Sequence, residues 1–144
     1  MGDIVVIRFD EVEARPLPGA ETEAGWIKRM VYPPAVATRN TFLGVGETGP
    51  GFSPHRWHRH VHDRAEGYEV RYPESFEEVY FILSGTGLIQ WKNERGEVEE
   101  APVGPGDTIF MPQGVAEHQL FNPGPDNLRL LFCGCPLPEV TFTK

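Results

Sequence analysis

The sequence is short of cysteine, of positive charge and of long apolar runs, and each shortage excludes a class of protein. Its two cysteines, Cys133 and Cys135, are too few for a disulfide framework and fit a reducing compartment. Lys and Arg number 13 against 21 Asp and Glu, so nucleic acid and anionic membranes are repelled by a net charge of −8. No stretch approaches the roughly 18 apolar residues of a membrane span. We therefore expect a cytoplasmic protein that binds neither nucleic acid nor membrane.

A helical apolar period is also missing, since no stretch sustains one over three turns, and the chain instead carries short strand-like stretches. Turn signals separate these stretches at intervals of about ten residues, which is typical of an all-β sandwich or barrel. The predicted strands cover residues 4–9, 26–32, 40–45, 79–83, 87–92, 97–101, 108–111, 118–122, 128–133 and 140–142. The length of 144 residues suits one domain with its own core.

Histidine and one carboxylate are the candidate functional groups. Four of the five histidines lie close together in the sequence, at His55, His58, His60 and His62. On an extended strand His58 and His60 face the same way, which is how a strand offers two imidazoles to one metal. Glu78 shares the face of a later apolar strand with Tyr80 and Ile82, where a carboxylate requires an explanation.

The chain resembles the cupin family, whose two motifs are G(X)5HXH(X)3-4E(X)6G and G(X)5PXG(X)2H(X)3N. The end of the first motif fits residues 78–85, and the second fits Gly106, Pro112, Gly114, His118 and Asn122. Three spacings depart from the motifs: six residues instead of five between Gly51 and His58, three instead of two between Gly114 and His118, and seventeen between His60 and Glu78. The motif-bearing core is therefore 51–122, with an insertion at 61–77.

The resemblance implies an antiparallel double-stranded β-helix, the jelly-roll barrel of cupins, as a single domain over residues 1–144. It also implies one divalent metal ion bound by His58, His60, Glu78 and His118, and a homodimer. Three imidazoles and a carboxylate suit manganese, iron, cobalt, nickel or zinc. Six-coordination would leave two positions for water or substrate, which distinguishes a catalytic from a structural site. The spacing to Gly85 selects Glu78 over Glu77, which would face outward.

Each assignment has a simpler alternative. Histidines two apart on a strand are usually solvated, and a slipped register would pair His60 with His62 instead of His58. Glu78 can also be a rim carboxylate that pairs with an arginine. His55 has the opposite strand parity to His58 and is expected at the mouth of the site or behind the ligands. Two cysteines on one strand face lack the further sulfurs that a soft-metal site requires.

The insertion at 61–77 leaves the barrel after two expected ligands and returns before the third. Within it Tyr68, Val70 and Tyr72 alternate with charged residues in a short strand-like pattern. We interpret it as a lid or hairpin that shapes access to the site, with an edge extension for dimer packing as the alternative.

The function that the resemblance implies is a metal-dependent enzyme acting on a small polar, oxygen-rich molecule, of the dioxygenase, decarboxylase or isomerase type. The fold alone does not choose the reaction, and no general acid or base is assigned. One alternative is a non-catalytic protein that binds a sugar or small acid. Another is an oligomerisation domain whose metal only stabilises the barrel.

Overall fold

The computed structural model describes residues 2–17, 24–65 and 67–142 of the chain. In this part the chain forms one short 3-10 helix at Phe9–Glu11 and twelve β-strands. The strands are β1 (Arg15–Pro16), β2 (Gly25–Val31), β3 (Phe42–Thr48), β4 (His62–Ala65), β5 (Tyr68–Arg71), β6 (Glu77–Ser84), β7 (Gly87–Lys92), β8 (Val98–Val103), β9 (Thr108–Met111), β10 (His118–Phe121), β11 (Leu128–Cys135) and β12 (Glu139–Phe142). No helix in the described ranges has the length and apolar character that crossing a membrane requires.

The strands form three sheets, in which every pairing is antiparallel. The largest has the order β1-β2-β3-β11-β6-β9, and the two smaller ones have the orders β10-β7-β8 and β12-β5-β4. The neighbours β3 and β11 are far apart in sequence, as in a jelly-roll barrel rather than a series of hairpins. The predicted all-β antiparallel barrel is confirmed.

The core lies between the six-stranded sheet and the β10-β7-β8 sheet. Strand β6 shows how the sequence produces it, because Glu78, Tyr80 and Ile82 are buried while Phe81 and Leu83 are 39% and 41% exposed. This two-residue alternation follows from the pleat of the strand and matches the predicted faces. The core cluster consists of Tyr80, Ile82, Ile89, Ile109, Met111, Leu120, Leu128 and Leu130.

The first predicted strand, at residues 4–9, is wrong. Residues 2–8 form no strand, and Ile4 is 94% exposed. β-branched residues favour a strand only when a neighbouring strand supplies hydrogen bonds and packing, and this segment has no such neighbour in the described part of the chain. The chain is instead anchored at Phe9, whose carbonyl oxygen accepts a 2.8 Å hydrogen bond from Lys28 Nζ. Arg15–Pro16, which has the composition of a turn, pairs with β2.

Asn122 ties two loops together beside the core. Its buried side-chain amide donates to the carbonyl oxygens of Thr48 (2.8 Å) and Asp126 (2.9 Å). Its Oδ1 accepts a 2.8 Å hydrogen bond from the backbone N–H of Gly124. Asn122, the last residue of the second motif, therefore stabilises these two loops.

Two glycines with similar backbone angles distinguish the two costs of adding a side chain, backbone strain and steric clash. Gly85, which follows β6, has φ +81°, and a Cβ added there would collide with the carbonyl oxygen of Asn127. Gly96, in the β7–β8 hairpin, has φ +78°, and a Cβ there would meet nothing within 4 Å. Gly96→Ala should therefore cost only the left-handed backbone penalty of about 1–2 kcal/mol. Gly85→Ala should cost a further 1–3 kcal/mol or so, because the added methyl group overpacks the turn.

Urea unfolding of the two variants beside the wild type measures this difference. Equal losses of unfolding free energy in Gly85→Ala and Gly96→Ala would show that the turn after β6 accommodates the methyl group.

Candidate metal centre

An isolated bridge between two distant histidines assembles the site. The backbone N–H of His58 donates to the carbonyl oxygen of His118 (3.1 Å), and the reverse bond is 3.0 Å long. The pairing places the two imidazole centroids 4.5 Å apart. The segment around His58 is not the regular strand that the sequence predicts. The single bridge, rather than a strand, places His58 beside His118.

The structure brings a third histidine and a carboxylate to the same place. One ring nitrogen each from His58, His60 and His118 lies within 4.8 Å of the others, and all three residues are buried. Oε1 of the buried Glu78 lies 3.3 Å from Nε2 of His60. Three histidines in this arrangement can hold a metal ion.

Backbone carbonyl groups decide which ring nitrogens of two histidines carry the proton. Nδ1 of His58 lies 2.7 Å from the carbonyl oxygen of Arg56, and Nδ1 of His118 lies 2.7 Å from that of Ala116. A carbonyl oxygen only accepts, so Nδ1 donates in both rings and Nε2 keeps its lone pair.

In the described part of the chain, four ring nitrogens of the cluster have no hydrogen-bond partner. Nε2 of His58, Nε2 of His118 and both ring nitrogens of His60 are buried without a hydrogen-bond partner among the described residues. Buried polar atoms are nearly always paired, because leaving one unpaired costs about 1–3 kcal/mol. A bound cation would satisfy Nε2 of His58, Nε2 of His118 and one ring nitrogen of His60, so the residues present fit a metal ion.

Burial also sets the charge of the cluster. It lowers the pKa of His60 and of His118 to about 4 and holds the pKa of His58 well below its usual range. Burial raises the pKa of Glu78 to about 7. The three imidazoles are therefore neutral at neutral pH, which is the form that binds a metal.

These shifts predict that the metal-free protein loses stability as the pH falls below about 6.5. The three buried histidines stay neutral in the folded state, whereas the unfolded chain protonates them below a pKa of about 6.5. Glu78 opposes this effect, because the folded protein keeps below pH 7 or so a proton that the unfolded chain releases near 4.5. Unfolding therefore takes up a net two protons or so between the unfolded-state pKa values of about 4.5 and 6.5. The free energy of unfolding should fall by roughly 2–3 kcal/mol for each unit by which the pH drops in this range.

Urea unfolding of the chelator-treated protein between about pH 5 and pH 7 tests the slope. His62→Ala is the control, because that exposed ring lies outside the buried cluster and its removal leaves the three buried histidines in place. A free energy of unfolding that does not change with pH would contradict the buried, neutral histidines.

His55 and Asp63 form a second layer behind the cluster. The His55 ring stacks on His58 with centroids 3.6 Å apart, and its Nε2–H donates to Asp63 Oδ2 at 2.8 Å. Arg56 Nη1 donates to Asp63 Oδ1, also at 2.8 Å. Burial alone would raise the pKa of Asp63, but the hydrogen bonds from His55 and Arg56 lower it to about 2. Asp63 was missed from the sequence, because it lies on β4 in the insertion and no local pattern predicts its contact with His55.

The alternative histidine lies outside the cluster. His62 is exposed, and its Nε2 lies 2.6 Å from Oε1 of Glu69 on the neighbouring strand β5. The slipped pair of His60 with His62 is therefore not brought together.

A pocket opens beside Glu78 and encloses about 630 Å³, including its open mouth. Glu78 and His55 contribute polar groups to its lining, whereas most of the other lining residues are apolar or aromatic. The insertion contributes Val70 and Tyr72, and Phe76 at its end is buried against His60 with ring centroids 5.0 Å apart. The insertion thus forms part of the wall beside the candidate metal centre.

Comparison with known proteins identifies the family. The family model described as a cupin domain matches residues 65–134. A sugar phosphate isomerase from a cupin superfamily, from Silicibacter pomeroyi, superposes with a TM-score of 0.65 over 97% of this chain and 82% of its own, at 16% identity. The chain carries a cupin domain. A predicted oxalate decarboxylase from Thermotoga maritima shares this cupin fold, with a TM-score of 0.63 and 21% identity over 92% of this chain and 100% of its own.

A closer relative in sequence is an uncharacterized protein from Methanocaldococcus jannaschii, 40% identical to this cupin over 60 residues. The alignment spans 42% of this chain and 43% of that relative, less than half of each. The family match includes Glu78 and His118 but begins after His58 and His60. The insertion at 61–77 lies between the histidine pair and Glu78, and the match begins within it, at residue 65. The bridge between His58 and His118 brings the pair to the matched region.

Proposed function

We propose that this cupin is a metal-dependent enzyme that acts on a small oxygen-bearing molecule. The observation that carries the proposal is the position of Glu78, which lies against the three-histidine cluster and also lines the open pocket. A molecule in the pocket would therefore lie beside one of the four proposed metal ligands, as an open catalytic site requires and a closed structural site does not.

In this proposal His58, His60, Glu78 and His118 hold one divalent ion, such as manganese, iron, nickel or zinc. When bound, the ion supplies Lewis-acid chemistry or, if it is iron, activation of dioxygen.

The residues of the chain orient the histidine rings and line the pocket with largely apolar side chains. The carbonyl groups of Arg56 and Ala116 fix the rings of His58 and His118 through their Nδ1 protons. Asp63 holds the proton on Nε2 of His55, whose ring packs against His58. Apolar and aromatic side chains make up most of the pocket wall beside Glu78.

The structural neighbours support the substrate class as an analogy. One is described as a predicted oxalate decarboxylase and the other as a sugar phosphate isomerase, so both names refer to small oxygen-rich molecules. Both neighbours are under 25% identical to this chain, which limits the inference to the fold. The proposed setting, a homodimer in the cytoplasm that binds a small molecule, remains a prediction from the sequence.

Loading the metal-free protein with Mn²⁺ and measuring the relaxation rate of water protons tests the function. Near-stoichiometric binding with strongly enhanced relaxation supports an open, catalytic ion. Binding without enhancement would indicate a closed structural site. If Mn²⁺, Fe²⁺, Ni²⁺ and Zn²⁺ all fail to bind, the protein is a non-catalytic small-molecule binder instead.

A further inference from the structure

The pocket beside the candidate metal centre has an unusual feature, an arginine on an inward face. Ile27 and Arg29 are two residues apart on β2, and both line the pocket. Ile27 is buried in the core, so the face that they share points into the barrel. Arginine is rarely placed on such a face unless it binds something there.

Two aromatic rings hold the Arg29 guanidinium group. Its Cζ lies 4.9 Å from the ring centroid of Phe142 on β12 and 5.7 Å from that of Tyr32. Arg29 also hydrogen-bonds the side chain of Tyr32. Contacts with the rings orient the planar group, whose shape suits a bidentate carboxylate.

The remainder of the pocket shows what the other end of a ligand would be. Among the described residues that line it, Arg29 is the one cation and Glu78 the one carboxylate. Hydrocarbon and aromatic side chains supply most of the surface: Leu17, Ile27, Phe42, Val70, Leu130, Phe132 and Val140. A sugar would place several of its hydroxyl groups against these hydrocarbon walls, at a cost of roughly 1–3 kcal/mol for each one left unpaired.

We propose that the pocket takes a small carboxylic acid with an apolar body, whose carboxylate binds Arg29 and Tyr32 while its body lies against the aromatic wall. This inference rests on the proposed function, because it names the substrate class of the same site.

Tyr32 fits the role of a second donor. It lines the pocket close to both charged groups, since the charges of Arg29 and Glu78 both act on its hydroxyl. Burial is the main cause that raises the pKa of Tyr32 to about 12. The phenol therefore keeps its proton at physiological pH and can donate it to a carboxylate oxygen.

The experiment compares binding of 3-phenylpropionate with binding of its neutral isostere, 3-phenylpropionamide, by isothermal titration calorimetry. Wild type, Arg29→Gln and the control Arg39→Gln, whose side chain is exposed, are each measured metal-free and metal-loaded. We expect wild type to prefer the acid by at least about tenfold, because charge-assisted hydrogen bonds are the strong ones. The preference should disappear in Arg29→Gln and persist in Arg39→Gln, in both metal states.

Three results would overturn the inference: no preference in wild type, equal loss in both variants, or a preference that depends on the metal and survives in Arg29→Gln. The last result would mean that the metal ion, and not Arg29, binds the carboxylate. If Arg29→Gln does not fold, Tyr32→Phe tests the inference. Its preference for the acid should be several-fold smaller than that of wild type. An unchanged preference would contradict the binding of the carboxylate by Arg29 and Tyr32. Elemental analysis of each sample separates the two proposals, because metal retained without acid preference contradicts only the substrate class.

Discussion

His118→Ala is expected to lower the affinity for a divalent metal ion by at least about 100-fold, beyond the effect of losing a group that only supports a ligand. Nε2 of His118 is buried, has its lone pair available and lies with ring nitrogens of His58 and His60 in one cluster. Its removal leaves two imidazoles and a carboxylate that prefers to be protonated near neutral pH. Such a set holds a divalent ion weakly.

Elemental analysis after dialysis, on protein purified without a metal-binding tag, measures the effect. His62→Ala is the matched control, because it removes an exposed imidazole that pairs with Glu69. Wild type and His62→Ala should retain near-stoichiometric metal, whereas His118→Ala should lose it while keeping its circular dichroism spectrum. Metal retained in His118→Ala, or lost equally from both variants, would refute the ligand assignment.

Phe76→Ala is expected to reduce the free energy of unfolding by about 3–5 kcal/mol, the range for deleting a buried aromatic ring. Phe76 is 1% exposed and packs against three rings. Its ring centroid lies 5.9 Å from that of Phe42, 4.9 Å from that of Tyr72 and 5.0 Å from that of His60. Its loss would leave a cavity where the insertion meets the barrel and would loosen the packing of His60.

Phe110→Ala provides the comparison for Phe76→Ala. Phe110 lies on β9 at the edge of the six-stranded sheet and is 59% exposed, so its removal should cost less than about 1 kcal/mol. Urea unfolding monitored by circular dichroism gives both values. Similar losses in the two variants would show that the insertion does not pack firmly on the barrel.

Local pattern explains which parts of the fold were predictable. Strand β6 was predicted because alternation along one strand decides that Glu78 faces inward and Glu77 outward. The hairpin of β7 and β8 was predicted because Gly96 supplies the positive φ that its loop requires. In such places the information lies within a few residues of the feature.

Other features depend on contacts that a local pattern does not contain. The segment at residues 4–9 has the residues of a strand but no neighbouring strand. Asp63 lies on β4 and meets His55 through a contact that no local pattern contains, and Arg29 enters the pocket because β2 joins the large sheet. The cupin resemblance implied a small polar substrate, whereas the largely apolar walls are assembled from several distant strands.

The bridge between His58 and His118 also has a consequence for the order of folding. It closes a loop of 60 residues, and the entropic cost of that closure must be met before the three imidazoles converge. The metal centre therefore exists only after His58 and His118 have paired, and an ion would select the paired state rather than nucleate it. Nascent protein emerging from the ribosome would have no competent site until His118 had emerged and docked against His58.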